Sequence, residues 1–157
     1  MFYNCPKLTN FYNITIVNGD KVKTARSLFH MDDTVADGDI IINTDVKNLI
    51  KSFPNATDFT YAFYRAVNNS SDHWNVENRV TNISDLFARN DGKKRPYLIA
   101  HTLFWACNQI TSIPEDFLKS IDTTWSGEGE DPGIDLQGAF RNCPLTKVNQ
   151  YWLRNHF

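Results

Sequence analysis

The residues of this chain that could act chemically are its three cysteines, its four histidines and one acidic segment. Cys5, Cys107 and Cys143 are far apart, and none of them forms the Cys-x-x-Cys pair that is common in metal sites and redox centres. An odd number of cysteines also argues against a disulfide framework. We therefore expect small buried thiols, with no metal and no cofactor.

The acidic segment, residues 32–40, partly imitates a calcium-binding loop. Asp33 fits the first position of such a loop, but the third position is Val35 and the twelfth is Thr44 instead of the bidentate glutamate. A solvated acidic turn is the expected structure, and calcium binding is the alternative.

Nothing in the sequence marks a catalytic site. The histidines have no partner at a catalytic spacing, and His30 and His101, which follow or precede phenylalanines closely, are expected at the edge of a core. No G-x-S-x-G, glycine-rich phosphate loop or H-E-x-x-H occurs. We therefore predict that the protein is not an enzyme.

Composition narrows the class of protein further. A net charge of −2 argues against nucleic-acid binding, which favours clustered basic residues. The longest basic run, residues 93–95, is expected in a solvated turn. The sequence has neither a stretch of about 18 apolar residues that could span a membrane nor a visible signal peptide. With 157 residues, the chain suits a single domain with its own core.

Phenylalanine recurs in a degenerate repeat. Three segments share a Phe-x-x-Cys frame followed by Leu or Ile, and they begin at Phe2, Phe104 and Phe140. Further pairs of an apolar residue and Phe place anchors at 29, 63 and 87. Short segments of this kind bury their apolar side chains only by stacking on one another. The predicted repeat core is Phe2, Cys5, Leu8, Phe29, Phe63, Phe87, Phe104, Cys107, Ile110, Ile113, Phe140, Cys143, Leu145 and Val148.

Phe87 is included because residues 79–87 resemble residues 55–63 at an offset of 24, within the range of leucine-rich repeats. In the clearest repeat, residues 110–113 are predicted to form a strand. Pro114 then favours a short helix over 115–119, and residues 151–154 could form the matching helix of the last repeat.

These segments resemble the BspA-like leucine-rich repeats. The resemblance is carried by MFYNCPKLT (1–9), TNISDLF (81–87), ITSIPEDF (110–117) and FRNCPLT (140–146). It covers most of the chain, although Phe59 and Ile83 stand where the family usually has Met. It implies an α/β leucine-rich-repeat solenoid, with short parallel strands, short helices and irregular repeats, over residues 1–157.

The same resemblance implies adhesion proteins of bacterial or parasite surfaces and of bacteriophages, without catalytic residues. We therefore expect a non-enzymatic protein-interaction or adhesion module on a virion or cell surface, whose partner is a protein or glycan surface ligand. The alternative is a purely structural subunit of a virion or surface layer, which binds other subunits. The chain is expected to be a fragment of, or a module within, a larger assembly.

Aromatic residues outside the repeat frame are the candidates for an interaction surface, because Tyr and Trp are enriched at binding hot spots. They lie within or beside the predicted insertions and are Tyr64, Trp74, Trp125 and Tyr151. Covering the edges of the repeats is the alternative role.

Overall fold

The computed structural model describes residues 1–8, 14–34, 36–68, 81–122 and 133–148. The regular elements in these ranges are short. They are a 3-10 helix at Gly19–Lys21, helix α1 at Thr44–Lys51, and strands β1 (Leu98–Ile99), β2 (Ser112–Ile113), β3 (Ile134–Asp135) and β4 (Lys147–Val148). Turns and extended segments dominate the rest, so packing between segments must hold the fold together.

Segments that are distant in sequence lie side by side in parallel. β1 pairs with β3, with Leu98 opposite Ile134, and β2 pairs with β4, with Ile113 opposite Val148. Isolated bridges join position 58 to positions 24 and 99. The paired positions advance by 34 residues (24 to 58), 41 (58 to 99) and 36 (99 to 135). Because parallel neighbours need a crossover connection, the chain completes one circuit between each paired position and the next.

Phenylalanine rings from successive segments stack in a column, which we call the inner column. It consists of Phe2, Phe29, Phe63, Phe104 and Phe140, with centroid separations of 5.3, 5.1, 5.3 and 5.5 Å. The three middle rings are fully buried, and the two end rings are half-buried. Aromatic pairs at such separations attract each other beyond the effect of burial. The column therefore helps to fix the register between segments.

The same backbone turn surrounds each ring of the inner column. Residues with positive φ lie two places before the phenylalanine, at Ser27, Tyr61, Thr102 and Gly138, and two places after it, at Asn4, Arg65, Ala106 and Asn142. Main-chain amides on one segment donate to carbonyl oxygens on the next, as from Phe63 to Leu103 at 3.0 Å and from Arg65 to Trp105 at 2.9 Å. Residues other than glycine rarely adopt positive φ. Hydrogen bonds between segments therefore stabilise a conformation that the local sequence disfavours.

Phe87 does not belong to the inner column. Its ring contacts Phe59 at 5.1 Å and Phe117 at 5.5 Å, both edge to face, on another side of the same core. The predicted equivalence of residues 55–63 and 79–87 is also not found. Asp58 bridges Thr24 and Ile99, whereas the amide of Asn82 donates to Ile42 at 3.1 Å.

The other residues of the predicted repeat core lie in or beside the core. Three are buried: Cys107, Ile110 and Ile113. Three are half-buried and pack against it: Leu8, Cys143 and Leu145. Cys5 is half-buried and donates to the carbonyl oxygen of Tyr3 at 3.5 Å, and Val148 ends β4.

The predicted strand at 110–113 is shorter in the structure, and the helix predicted over 115–119 is absent. β2 covers Ser112–Ile113, and successive turns follow it. In these turns the amide of Phe117 donates to Pro114 at 3.1 Å and that of Lys119 to Asp116 at 3.0 Å. A spacing of three residues closes tight turns, whereas an α-helix needs four. The residues named for a last helix, 151–154, lie outside the described ranges.

Helix α1 was not predicted from the repeat pattern, although its signals are present. The side chain of Asn43 accepts from the amides of Asp45 at 3.0 Å and Val46 at 3.2 Å, which is the usual N-cap arrangement. Val46, Leu49 and Ile50 lie on one face and are buried.

Arg95 is fully buried, which contradicts the solvated turn predicted for residues 93–95, although Lys93 and Lys94 are exposed. Its hydrogen-bond partners in the described ranges are main-chain carbonyl oxygens, those of residues 50, 53, 54, 56, 87 and 88, at 2.6–3.3 Å. Its guanidinium also lies 5.2 Å from the ring centroid of Phe59. Burial lowers the pKa of Arg95 to about 10, so the group is still charged at neutral pH. It joins the end of α1 to the turn around Ala88.

Candidate functional site

A second column of side chains runs along the surface beside the inner column, and we call it the outer column. It is formed by the residue that directly follows each inner phenylalanine: Tyr3, His30, Tyr64, Trp105 and Arg141. The ring centroids are 5.0, 4.7 and 6.0 Å apart in that order, and the Arg141 guanidinium lies 4.3 Å from the Trp105 ring. Because the segments are in register, residues at the same place in each turn come together. The phenylalanine fills the core, and the residue after it reaches the surface.

A concavity of about 360 Å³ opens beside the outer column. Its lining combines aromatic rings, carboxylates and a small hydroxyl residue: His30, Asp32, Asp33, Tyr61, Tyr64, Thr102 and Trp105. Tyr61 and Thr102 hold equivalent places in their segments and share a positive φ, 57° and 55°. Since threonine is much smaller than tyrosine, the position beside Trp105 keeps the space that the tyrosine ring fills in the preceding segment.

The walls of the concavity are fixed by hydrogen bonds among its own residues. The hydroxyl of Tyr3 donates to Asp32 and that of Tyr64 to Asp33, each at 3.0 Å. Arg65 donates to Asp33 at 3.0 Å, and also to Asp37 at 2.7 Å. Such links hold the aromatic side chains in place and so reduce the entropy that a partner's binding must remove.

These contacts shift the pKa values of the groups involved. The hydrogen bond to Asp32 is the main reason that the pKa of Tyr3 is raised, whereas burial followed by the bond to Asp33 raises the pKa of Tyr64. The pKa of Asp32 is lowered, first by the amide of Thr34 and then by the Tyr3 hydroxyl. At neutral pH the tyrosines are therefore neutral and Asp32 is a carboxylate.

His30 lies inside the outer column between two tyrosines. Burial lowers its pKa, and the nearby charges of Asp32 and Asp33 oppose this effect only in part. Its Nδ1 is buried without a hydrogen-bond partner in the described ranges. The imidazole is therefore neutral at pH 7 and serves here as an aromatic ring rather than as a charge. His101, the other histidine beside the core, has its Nε2 2.6 Å from Asp135 Oδ2.

The thiols are placed for structure rather than for reaction. Cys107 donates to the carbonyl oxygen of Phe63, and Cys143 to that of Phe104, each at 3.0 Å. Burial raises the pKa of both thiols, that of Cys143 to about 11 and that of Cys107 further. Reaction requires the thiolate, which is scarce at neutral pH in both cases. Among the described residues, no group of three or more His, Cys, Asp or Glu side chains could hold a metal ion.

Only one of the aromatic residues proposed as an interaction surface can be placed. Tyr64 lies in the outer column and lines the concavity, whereas Trp74, Trp125 and Tyr151 fall outside the described ranges. The structure adds Tyr3, Tyr61 and Trp105 to the surface. A sequence signal existed, because the residue after four of the inner phenylalanines is Tyr, His, Tyr and Trp in turn.

No protein-family model matches the chain, and neither the curated proteins nor the solved structures gave a match. None of the helices in the described part of the chain is long and apolar enough to cross a membrane.

Proposed function

We propose that this chain is a short, irregular leucine-rich-repeat solenoid of the BspA-like type and that it binds a macromolecular partner without catalysis. The observation that carries the proposal is the outer column, in which Tyr3, His30, Tyr64 and Trp105 stack beside a concavity. The parallel pairing at steps of 34 to 41 residues (24 to 58 and 58 to 99) and the inner phenylalanine column support the architecture.

The composition of the outer column suits a binding surface. Tyr and Trp contribute a large contact area with few rotatable bonds, and they dominate the energetics of many interfaces. Tyr64 and Trp105 are each about half-buried, so both are held firmly and both remain in contact with solvent. A surface of ordered aromatic rings around a concavity offers a partner both apolar contact and shape.

The polar groups of the site favour binding over chemistry. Its tyrosine hydroxyls are engaged with Asp32 and Asp33, and the raised pKa of Tyr64 makes it a poor base at neutral pH. We infer an adhesion role on a virion or cell surface, with a protein or a glycan as the surface ligand.

A printed array of purified proteins and glycans tests the proposal. The full chain would be compared with Thr102→Tyr, which fills the concavity with a side chain that the equivalent Tyr61 already carries at the same backbone conformation. Trp105→Ala removes one ring of the outer column, and Tyr97→Ala is the matched aromatic control, since Tyr97 does not line the concavity. We expect spots that bind the wild type and the control but lose both site variants. Equal binding by all four proteins, or no binding by the wild type, would contradict the proposal.

A structural assembly subunit is the second candidate, and one observation favours it. The exposed large apolar side chains of the described residues are Met1, Tyr3, Ile14 and Val17, with exposed fractions of 69%, 49%, 42% and 79%, all near one end of the stack. Size-exclusion chromatography with light scattering would show a multimer that Val17→Asp dissociates and Asn90→Asp, an exposed control, does not. A monomer at high concentration would argue against this candidate.

A further inference from the structure

We propose that the concavity beside the outer column receives a positively charged side chain, a lysine or arginine, carried by a protein partner. The inference rests on the proposed function, because it names the chemistry of the partner that the same surface would bind. It depends on the charge of the rim, on the aromatic lining and on an internal precedent.

The rim of the concavity carries excess negative charge. The carboxylates of Asp32, Asp33 and Asp37 face a single cation, Arg65, which already binds the last two. The Asp33 side chain is 74% exposed, so one of its oxygens stays open to a second cation. The neutral imidazole of His30 adds no positive charge. A cationic group is therefore attracted, and an anionic partner is repelled.

The aromatic lining suits the rest of a lysine or arginine side chain. Both residues pack their methylene stems on apolar surface while the charged end reaches polar partners. Tyr61, Tyr64 and Trp105 provide that surface, and Asp33 lies on the same rim. The depth left by Thr102 lets a long, thin side chain enter, whereas the neighbouring segment is closed by Tyr61.

The protein already shows this recognition within its own chain. The guanidinium of Arg141 lies 4.3 Å from the ring centroid of Trp105, where it extends the outer column by one cation. Cations are attracted to the faces of aromatic rings. The outer column thus accommodates a guanidinium at one end, next to the concavity.

The column favours a cation over a glycan for a geometric reason. Sugars bind aromatic residues by stacking on a free ring face. Both faces of His30 and Tyr64 are covered by their neighbours in the column, at 4.7–6.0 Å. Ring edges, hydroxyls and carboxylates are what these residues present to a partner.

Titration of the isotope-labelled full chain with a capped tetralysine peptide, followed by NMR, tests the inference. The side-chain indole signal of Trp105 would be assigned by comparison with Trp105→Phe. A peptide of the same length with acetylated lysines is the matched neutral probe, and cellotetraose is the glycan probe. We expect a saturable shift with tetralysine alone, and weaker binding at high salt.

Variants connect the shift to the carboxylates. Replacing Asp33 by Asn should weaken tetralysine binding about three- to tenfold, the range expected when a partly exposed ion pair is lost. Asp20→Asn removes an exposed carboxylate in the Gly19–Lys21 helix and should leave the affinity unchanged. Thr102→Tyr should abolish the shift without removing any charge. If Asp33→Asn does not fold, Thr102→Tyr still tests the site.

Three results would overturn the inference. They are equal binding of the acetylated and charged peptides, equal losses in Asp33→Asn and Asp20→Asn, and an indole shift that only cellotetraose produces. The last result would leave the proposed function intact, since the same surface would then bind a glycan. A silent tetralysine titration, together with an array signal that Thr102→Tyr removes, would also reject the cationic partner alone.

Discussion

The thiol of Cys107 donates a 3.0 Å hydrogen bond to the carbonyl oxygen of Phe63, which belongs to the preceding segment of the stack. Cys143 stands in the same relation to Phe104. Each of these cysteines therefore fills a small space in its own turn and ties that turn to the phenylalanine before it. The repeated spacing of Phe and Cys in the sequence has this contact as its structural counterpart.

The buried thiols should resist alkylation in the folded protein. Since thiolate is the reactive form and burial raises both pKa values, Cys107 should react with iodoacetamide far more slowly than an unfolded thiol at pH 8. Cys143, with a pKa of about 11, should react faster as the pH approaches that value. Mass spectrometry of labelled peptides would measure each rate. Rates equal to those in denaturant would show that the thiols are not held as described.

Truncating the middle of the inner column should destabilise the protein strongly. Phe63→Ala removes a fully buried ring that stacks on Phe29 and Phe104, and we expect a loss of about 3–5 kcal/mol in the free energy of unfolding. Phe140→Ala, at a half-buried end ring, should have a smaller effect. Chemical denaturation would compare the two. Equal losses would contradict the stacked arrangement.

Arg95 should be hard to replace. Arg95→Met leaves several buried carbonyl oxygens, including those of Phe53 and Ala56, without a donor, and the free energy of unfolding should fall by about 3 kcal/mol or more. Arg95→Lys should also be destabilising, because an ammonium cannot span the same set of acceptors. Lys94→Met, at the exposed neighbour, should change stability by no more than about 0.5 kcal/mol. Denaturant titration of the three variants would decide, and a neutral Arg95→Met would refute the bridging role.

The N-cap of α1 offers a milder test. Asn43→Ala removes the acceptor for the amides of Asp45 and Val46 and should lower stability by about 1 kcal/mol. Asn48→Ala, at an exposed position inside the same helix, should be neutral or slightly stabilising, because alanine is the better helix former. The difference between these two free energies of unfolding isolates the cap. No difference would mean that the cap does not contribute.

His30 should make stability depend on pH on the acid side of neutrality. Its pKa is lowered in the folded protein by burial, so the unfolded chain takes up the proton first, near the ordinary value of 6.5. The free energy of unfolding should therefore fall as the pH drops below that value, until the folded imidazole also titrates. His30→Gln should flatten this part of the profile. Direct titration of the imidazole by NMR would contradict the prediction if its midpoint lay at or above 6.5.

The sequence alone predicted much of the inner column, because stacking segments place like residues at like positions. Phe2, Phe29, Phe63, Phe104 and Phe140 were all among the predicted core residues, and all five stack. The outer column was equally legible, since it needs only the residue after each of these rings. Tyr64 was named on other grounds, and its neighbours in the column were missed.

The tertiary structure decided what depends on which segments become neighbours. Phe87 follows an apolar residue just as Phe63 does, yet its partners are Phe59 and Phe117, because an apolar-Phe pair fits either column. Arg95 shares its local sequence with exposed lysines, and only the carbonyl groups that surround it explain its burial. The concavity exists because Thr102 follows Tyr61 in the stack, 41 residues later (61 to 102) in the chain. Composition and spacing fix the residue types in each row, but contacts across rows are set by the circuit lengths, which vary here from one segment to the next.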